Sequence, residues 1–264
     1  MGFNRRKTLK ILASASVLGF SLGRPSLSYS KENSSSMEKQ PKGKVLFVVT
    51  SHEDLGNTGK KTGYWLSEVT HPWVVLKNAG YTVDFVSPKG GKCPVEGVDP
   101  NDPANKEFAQ DILGQKKLNL SMKPDEVKPE EYKAIFFAGG HGVMWDFPNN
   151  KKLAEITSKI YENGGVVAAV CHGPAGLLNV KLSSGKYLVS GKKINSFTNS
   201  EERTIALDKV VPFALESKLV EHGARFECSD NFQPHVVVND RVITGQNPMS
   251  AKAVGYAIVN ILQQ

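Results

Sequence analysis

The apolar positions of this chain fall in short continuous runs separated by segments of helical spacing. VLFVVTS (45–51), YTVDFVSP (81–88), AIFFAGG (134–140) and VVAAV (166–170) are each too short for a helix. Their β-branched and aromatic content predicts strands buried on both faces. The stretch from Tyr64 to Asn78 has helical periodicity with Gly80 behind it as a stop, and KKLAEITSKIYENGG (151–165) repeats that plan. KINSF, ARFEC, HVVVN and RVITG add strands between 193 and 245, and Pro248 to Leu262 reads as a closing amphipathic helix. The alternation predicts an α/β fold, a three-layer sandwich with a mostly parallel central sheet covered on both faces. Cys93 to Tyr132, with five prolines, interrupts it and is too long for an ordinary connection. It is expected to be a small lid insertion near the site.

The first thirty residues break the pattern. MGFNRRKTLK is basic, ILASASVLGFSLG is apolar but short for a bilayer span, and small and polar residues come next in PSLSYS. Residues 1–30 read as an export signal. The pair Arg5-Arg6 resembles a twin-arginine leader bound for the periplasm, with an ordinary secretory signal as the alternative. KENSSSMEKQPK (31–42) reads as a flexible linker, leaving 43–264 as one catalytic domain with no membrane attachment after export. Charge supports this division. Of the net +7, five charges lie in residues 1–30, and the remainder carries 28 basic against 26 acidic residues. With no basic stripe, nucleic acid is not an expected partner. Three cysteines leave at least one thiol unpaired or bridged between molecules, and their spacing fits no structural zinc site.

In a parallel sheet, ligands bind beyond the carboxyl ends of the strands. Three polar clusters fall there: His52-Glu53-Asp54, Gly139-Gly140-His141-Gly142 and Cys171-His172-Gly173-Pro174. The last has the form of a nucleophile elbow, with Ala168, Ala169, Gly173 and Ala175 leaving room for a tight turn. A helix beginning there would lower the pKa of Cys171. Against this stands a structural cysteine, buried and inert. His172 is a candidate base or proton carrier rather than a packed imidazole. Gly139 and Gly140 offer backbone N–H groups for an oxyanion, although a Gly-Gly pair after a strand is more often a plain turn. GNTGKKT (56–62) lacks the spacing of a phosphate-binding loop, so ATP and GTP are not expected.

AVCHGP (169–174), KTGYWLSEVTHP (61–72), GGHGVMWDFP (139–148) and SFTNSEE (196–202) together resemble the ThiJ/PfpI superfamily. That superfamily has a flavodoxin-like, class I glutamine amidotransferase-like fold. Within it the motifs are most similar to the branch of glutathione-independent glyoxalases (glyoxalase III, D-lactate dehydratase) and heat-inducible chaperones. The resemblance implies Cys171 as nucleophile with His172 beside it and Glu68 next to the thiol. It places the acidic partner of the histidine at Glu202, with Glu201 one residue away as the alternative. Gly139, Gly140 and His141 would line the oxyanion and substrate position. The implied chemistry is cofactor-free and metal-free, turning a small dicarbonyl, methylglyoxal or glyoxal, into lactate or glycolate. The superfamily often forms homodimers, so the resemblance implies a homodimer. An amidase or peptidase using the same cysteine, or a holding chaperone without catalysis, are the alternatives; a glutaminase subunit would need a partner domain.

Overall fold

In the computed structural model, which describes residues 40–264, the continuous apolar runs become the parallel strands of one sheet. The expected export segment and all but the last three residues of the linker lie outside the described residues. In chain order the first elements are β1 (Lys44–Val48), β2 (Tyr64–Trp65), α1 (Leu66–Asn78), β3 (Thr82–Val86), β4 (Val95–Glu96), α2 (Pro103–Gln110) and α3 (Ile112–Asn119). The middle holds β5 (Tyr132–Phe137), α4 (Val143–Asp146), α5 (Lys151–Glu162) and β6 (Val166–Val170). After it come β7 (Lys193–Ile194), α6 (Asn199–Thr204), α7 (Leu215–Glu221), β8 (Arg225–Phe226), β9 (Val236–Asn239), β10 (Val242–Gly245) and α8 (Ala251–Leu262).

The main sheet runs β3-β1-β5-β6-β10-β9, and every pairing is parallel except β10 with the edge strand β9. Two-residue alternation explains why the strands read as uniformly apolar. Val45, Phe47, Phe85, Phe136 and Ala168 point to one face, against Trp73 of α1, Phe108 of α2 and Ile258 of α8. Leu46, Val48, Ile135, Phe137 and Ala169 point to the other, against Leu153 and Ile156 of α5 and Leu219 of α7. The result is the three-layer α/β sandwich that the pattern predicts. KINSF and ARFEC contribute only the two-residue strands β7 and β8, which pair with each other outside the main sheet.

The 93–132 insertion is folded throughout. Phe108 and Leu118 bury their side chains in the core beside α1 and β3, and β4 pairs with β2. The segment reaches the candidate site through Glu96, and its helices thicken the layer next to α1. All three cysteines carry free thiols, Cys93 and Cys171 buried and Cys228 exposed.

Behind β6 the chain packs on β5 too closely for side chains. A Cβ at Gly173 would run into the Phe137 carbonyl oxygen, and one at Gly176 would lie 2.6 Å from the Phe137 ring. Gly173→Ala is therefore expected to lower stability by about 1–3 kcal/mol or more, the usual cost of overpacking. The measurement is the urea midpoint at unchanged denaturant slope.

Candidate active site

Cys171 ends β6 in a left-handed backbone conformation, φ 58°. Its N–H donates to the Gly245 carbonyl at 2.9 Å and its own carbonyl accepts the Phe197 N–H at 2.8 Å. These bonds hold a conformation that costs a non-glycine residue free energy. Beyond His172 the chain forms a five-residue 3-10 turn, Gly173–Leu177, rather than a long helix. The expected lowering of the thiol pKa is reversed. Burial first, and the adjacent Glu68 carboxyl second, push the Cys171 thiol well above its ordinary value, against the pull of the Gly140 and His172 N–H groups. A short turn supplies too little dipole to offset burial.

Glu68 lies in the first turn of α1, fully buried and facing the thiol. Its Oε2 accepts the Gly139 N–H at 2.6 Å, and its Oε1 has no hydrogen-bond partner among the described residues. Burial pushes its pKa up to about 8, while the Gly139 amide and the thiol pull the other way. Gly139 thus spends its amide on Glu68 and offers no open oxyanion donor. A Cβ there would lie 2.7 Å from Glu68 Oε2 and 2.8 Å from the His172 nitrogen. Gly140, at φ 97°, directs its N–H to the sulfur, as does His172.

On the other side of the thiol, His172 Nδ1 lies 3.3 Å from Cys171 Sγ. Its Nε2 lies 2.7 Å from Glu202 Oε2, and His141 Nε2 lies 3.0 Å from Glu202 Oε1. Burial works to raise the Glu202 pKa, but the hydrogen bonds from His141 and His172 outweigh it and hold it at about 2. An ionised carboxylate only accepts, so both Nε2 atoms carry hydrogen. The His172 Nδ1 lone pair is then left facing the thiol. Burial, and then His141 with its ring 4.2 Å away, lower the His172 pKa to about 4 despite Glu202. The site rests with a neutral imidazole, a neutral thiol and a protonated Glu68, with the ionised Glu202 held by both histidines. His141, His172 and Glu202 also offer ligand atoms within 4.8 Å of one another, but Glu202 is already engaged by both rings.

The Glu201–Glu202 ambiguity is resolved by geometry. Glu202 faces the histidines, whereas Glu201 turns into the protein. There it accepts from Thr198, Phe232, Gln246 and Asn247. Three further features are not evident from the sequence. Glu96 Oε1 accepts the His141 backbone N–H at 3.0 Å. Glu201 ties three loops together. Trp65, Phe197, Ile205, Phe232 and Met249 form the walls of a cavity of about 220 Å³ above Cys171. Trp65 and Phe197 fall inside the motifs KTGYWLSEVTHP and SFTNSEE, but no local motif marks Ile205, Phe232 or Met249, which come from separate segments. His52 lies outside this cavity, its ring stacked on Trp145.

The DJ-1/PfpI family model matches residues 61–261. The chain is 34% identical to glutathione-independent glyoxalase HSP31 of Saccharomyces cerevisiae, over 83% of this chain and 98% of the relative. It is 32% identical to glyoxalase 3 of Candida albicans, over 79% and 93%. Among solved structures, the Rapid Encystment Protein 24 kDa of Francisella tularensis superposes with a TM-score of 0.80 at 41% identity, covering 83% and 99% of the two chains. Glyoxalase III of Candida albicans superposes with a TM-score of 0.77 at 29% identity, covering 83% and 97%.

The raised Glu68 pKa links the site to stability. The folded state keeps a proton up to about pH 8 that the unfolded chain releases near 4.5. The Glu68 contribution to stability is therefore full below 4.5 and is lost as pH rises toward 8. Glu68→Gln, which keeps an acceptor for the Gly139 amide, should raise Tm relative to wild type. The gain should be larger at about pH 8 than at about pH 5, as measured by circular dichroism.

Proposed function

We propose that this chain, which belongs to the DJ-1/PfpI family, is a glutathione-independent glyoxalase that converts methylglyoxal and glyoxal into lactate and glycolate. The observation that carries the reading is the fully buried Glu68 carboxyl beside the thiol, in addition to the His172–Glu202 pair. Acyl transfer needs a nucleophile, a base and an oxyanion donor. Moving a proton off carbon needs one more group, of high pKa and shielded from water, and Glu68 is that group.

The Cys171 sulfur bonds to the aldehyde carbon C1 while its proton passes through His172 Nδ1 to the new alkoxide, giving a hemithioacetal. Gly140 N–H, beside the sulfur, is placed to hold the oxygen as charge develops. Glu68 in its ionised form takes the C1 proton, and protonation of the C2 oxygen gives an enediol. A proton returned to C2 and one lost from the C1 oxygen leave a thioester. C1 is oxidised and C2 reduced within one molecule, so no outside oxidant enters. Water then cleaves the thioester, releasing the hydroxy acid and restoring the thiol. Glu202 stays ionised and holds His172 in the tautomer that accepts from sulfur.

The Cys171–His172–Glu202 geometry also fits acyl transfer, which makes an amidase or peptidase the second reading. The leader at residues 1–30 is proposed to carry the domain out of the cytoplasm, on the strength of Arg5-Arg6 and the apolar run behind them.

Purified protein incubated with methylglyoxal, without glutathione, is expected to release lactate. Cys171→Ala should abolish the reaction, and Glu68→Gln should slow it by roughly 10²-fold or more. Because Glu68 must be ionised to act, wild-type kcat/KM should rise with pH to a plateau, with a midpoint near 8. Lactate formation that survives Cys171→Ala would refute the assignment, and amide cleavage without lactate would favour the second reading.

A further inference from the structure

The cavity above Cys171 is larger and more apolar than a three-carbon substrate requires. At about 220 Å³ it has room beyond a molecule with five non-hydrogen atoms, which takes the place of only about two or three waters. Its polar groups sit at the floor, on Cys171, His172, His141 and Gly140. The rest of the wall is Trp65, Phe197, Phe232, Ile205, Pro248 and Met249, and none of the described residues lining it is a lysine or arginine. Such a surface gives a phosphate or a polyol chain nothing to bind, and leaves a methyl group surrounded by undisplaced water.

The wall is built rather than incidental. Phe232 has a left-handed backbone, φ 60°, an unfavourable state for an aromatic residue. Its N–H donates to Glu201 Oε1 at 2.8 Å, and that buried oxygen also accepts from Asn247 Nδ2 at 2.9 Å and Gln246 Nε2 at 3.2 Å. Glu201 Oε2 caps the start of α6 through the Thr198 N–H, at 2.9 Å. One carboxylate thus fixes the Phe232 backbone and the segment before Met249, next to the helix that carries Glu202. Ile205 and Met249 remain well exposed, placing apolar surface around the cavity.

We propose that the preferred substrates are 2-oxoaldehydes bearing a bulky apolar group, aryl or branched alkyl, on the keto carbon, and that Phe232 is the residue that selects them. This rests on the glyoxalase reading above. The aldehyde meets Cys171 at the floor, and the apolar group takes the space among Trp65, Phe197 and Phe232. The bond changes are the same as for methylglyoxal, and the product is the 2-hydroxy acid carrying the same group, mandelate from phenylglyoxal.

The test is kcat/KM of the full chain for glyoxal, methylglyoxal, isopropylglyoxal and phenylglyoxal, by chromatography of the hydroxy acid, for wild type, Phe232→Ala and Met249→Ala. Wild type should favour phenylglyoxal over methylglyoxal by about tenfold or more, the usual discrimination of an apolar pocket. Phe232→Ala should shrink that ratio, chiefly through KM for phenylglyoxal, which separates fit from the intrinsic reactivity of the aldehydes. Met249→Ala, at an exposed position, should shrink it less and covers the case in which Phe232→Ala fails to fold. Four substrates within twofold of one another, glyoxal preferred, or a ratio unmoved in both variants would overturn the inference and leave the glyoxalase reading standing. No hydroxy acid from any of the four would overturn that reading itself.

Discussion

The left-handed backbone of Cys171 turns the chain out of β6 and leaves the thiol against His172 Nδ1 and beside the Glu68 carboxyl. A strand continued one residue further would carry the sulfur elsewhere, and the carboxyl of α1 would face no partner. The strain is held from several sides. Gly245 and Phe197 bind the Cys171 backbone, and Gly173 and Gly176 let the chain lie against Phe137. Gly139 leaves room for both the Glu68 carboxyl and the His172 amide. Conformations of this kind persist where surrounding structure over-determines them, and they cluster at functional sites.

Burial then decides the charge state. A thiol and a carboxyl taken out of water side by side both favour their neutral forms, since ionising either is opposed by low dielectric and by the other. Glu202 stays ionised despite burial because two imidazoles donate to it. The site therefore stores its reactivity as a proton that can be moved, not as a preformed thiolate. A neutral buried thiol is also a poorer target for oxidation than an exposed thiolate.

Much of this was legible in the sequence, for physical reasons. Two-face burial writes itself as continuous apolar runs, so VLFVVTS, AIFFAGG and VVAAV mark the sheet. A crowded elbow demands small residues, so AVCHGPAG marks the nucleophile. Glu68 was legible only through family resemblance, since a lone carboxylate in a helix turn says nothing of its burial. The direction of the thiol shift is not legible, because VVAAVCHG does not say how deeply the turn is buried or how short the helix after it is. Gly139 looked like a free donor because its partner lies 71 residues away in sequence. The cavity walls and the Glu201 tie arise from loops that meet only in three dimensions.

The central claim is that Cys171 rests as a neutral thiol coupled to Glu68. Its most direct test is a thiolate titration by ultraviolet absorbance in a Cys93→Ser, Cys228→Ser background, with and without Glu68→Gln. Almost no thiolate is expected at neutral pH, with a lower titration midpoint once the neighbouring carboxyl can no longer ionise. Thiolate already formed at neutral pH, or a midpoint indifferent to Glu68→Gln, would contradict the claim.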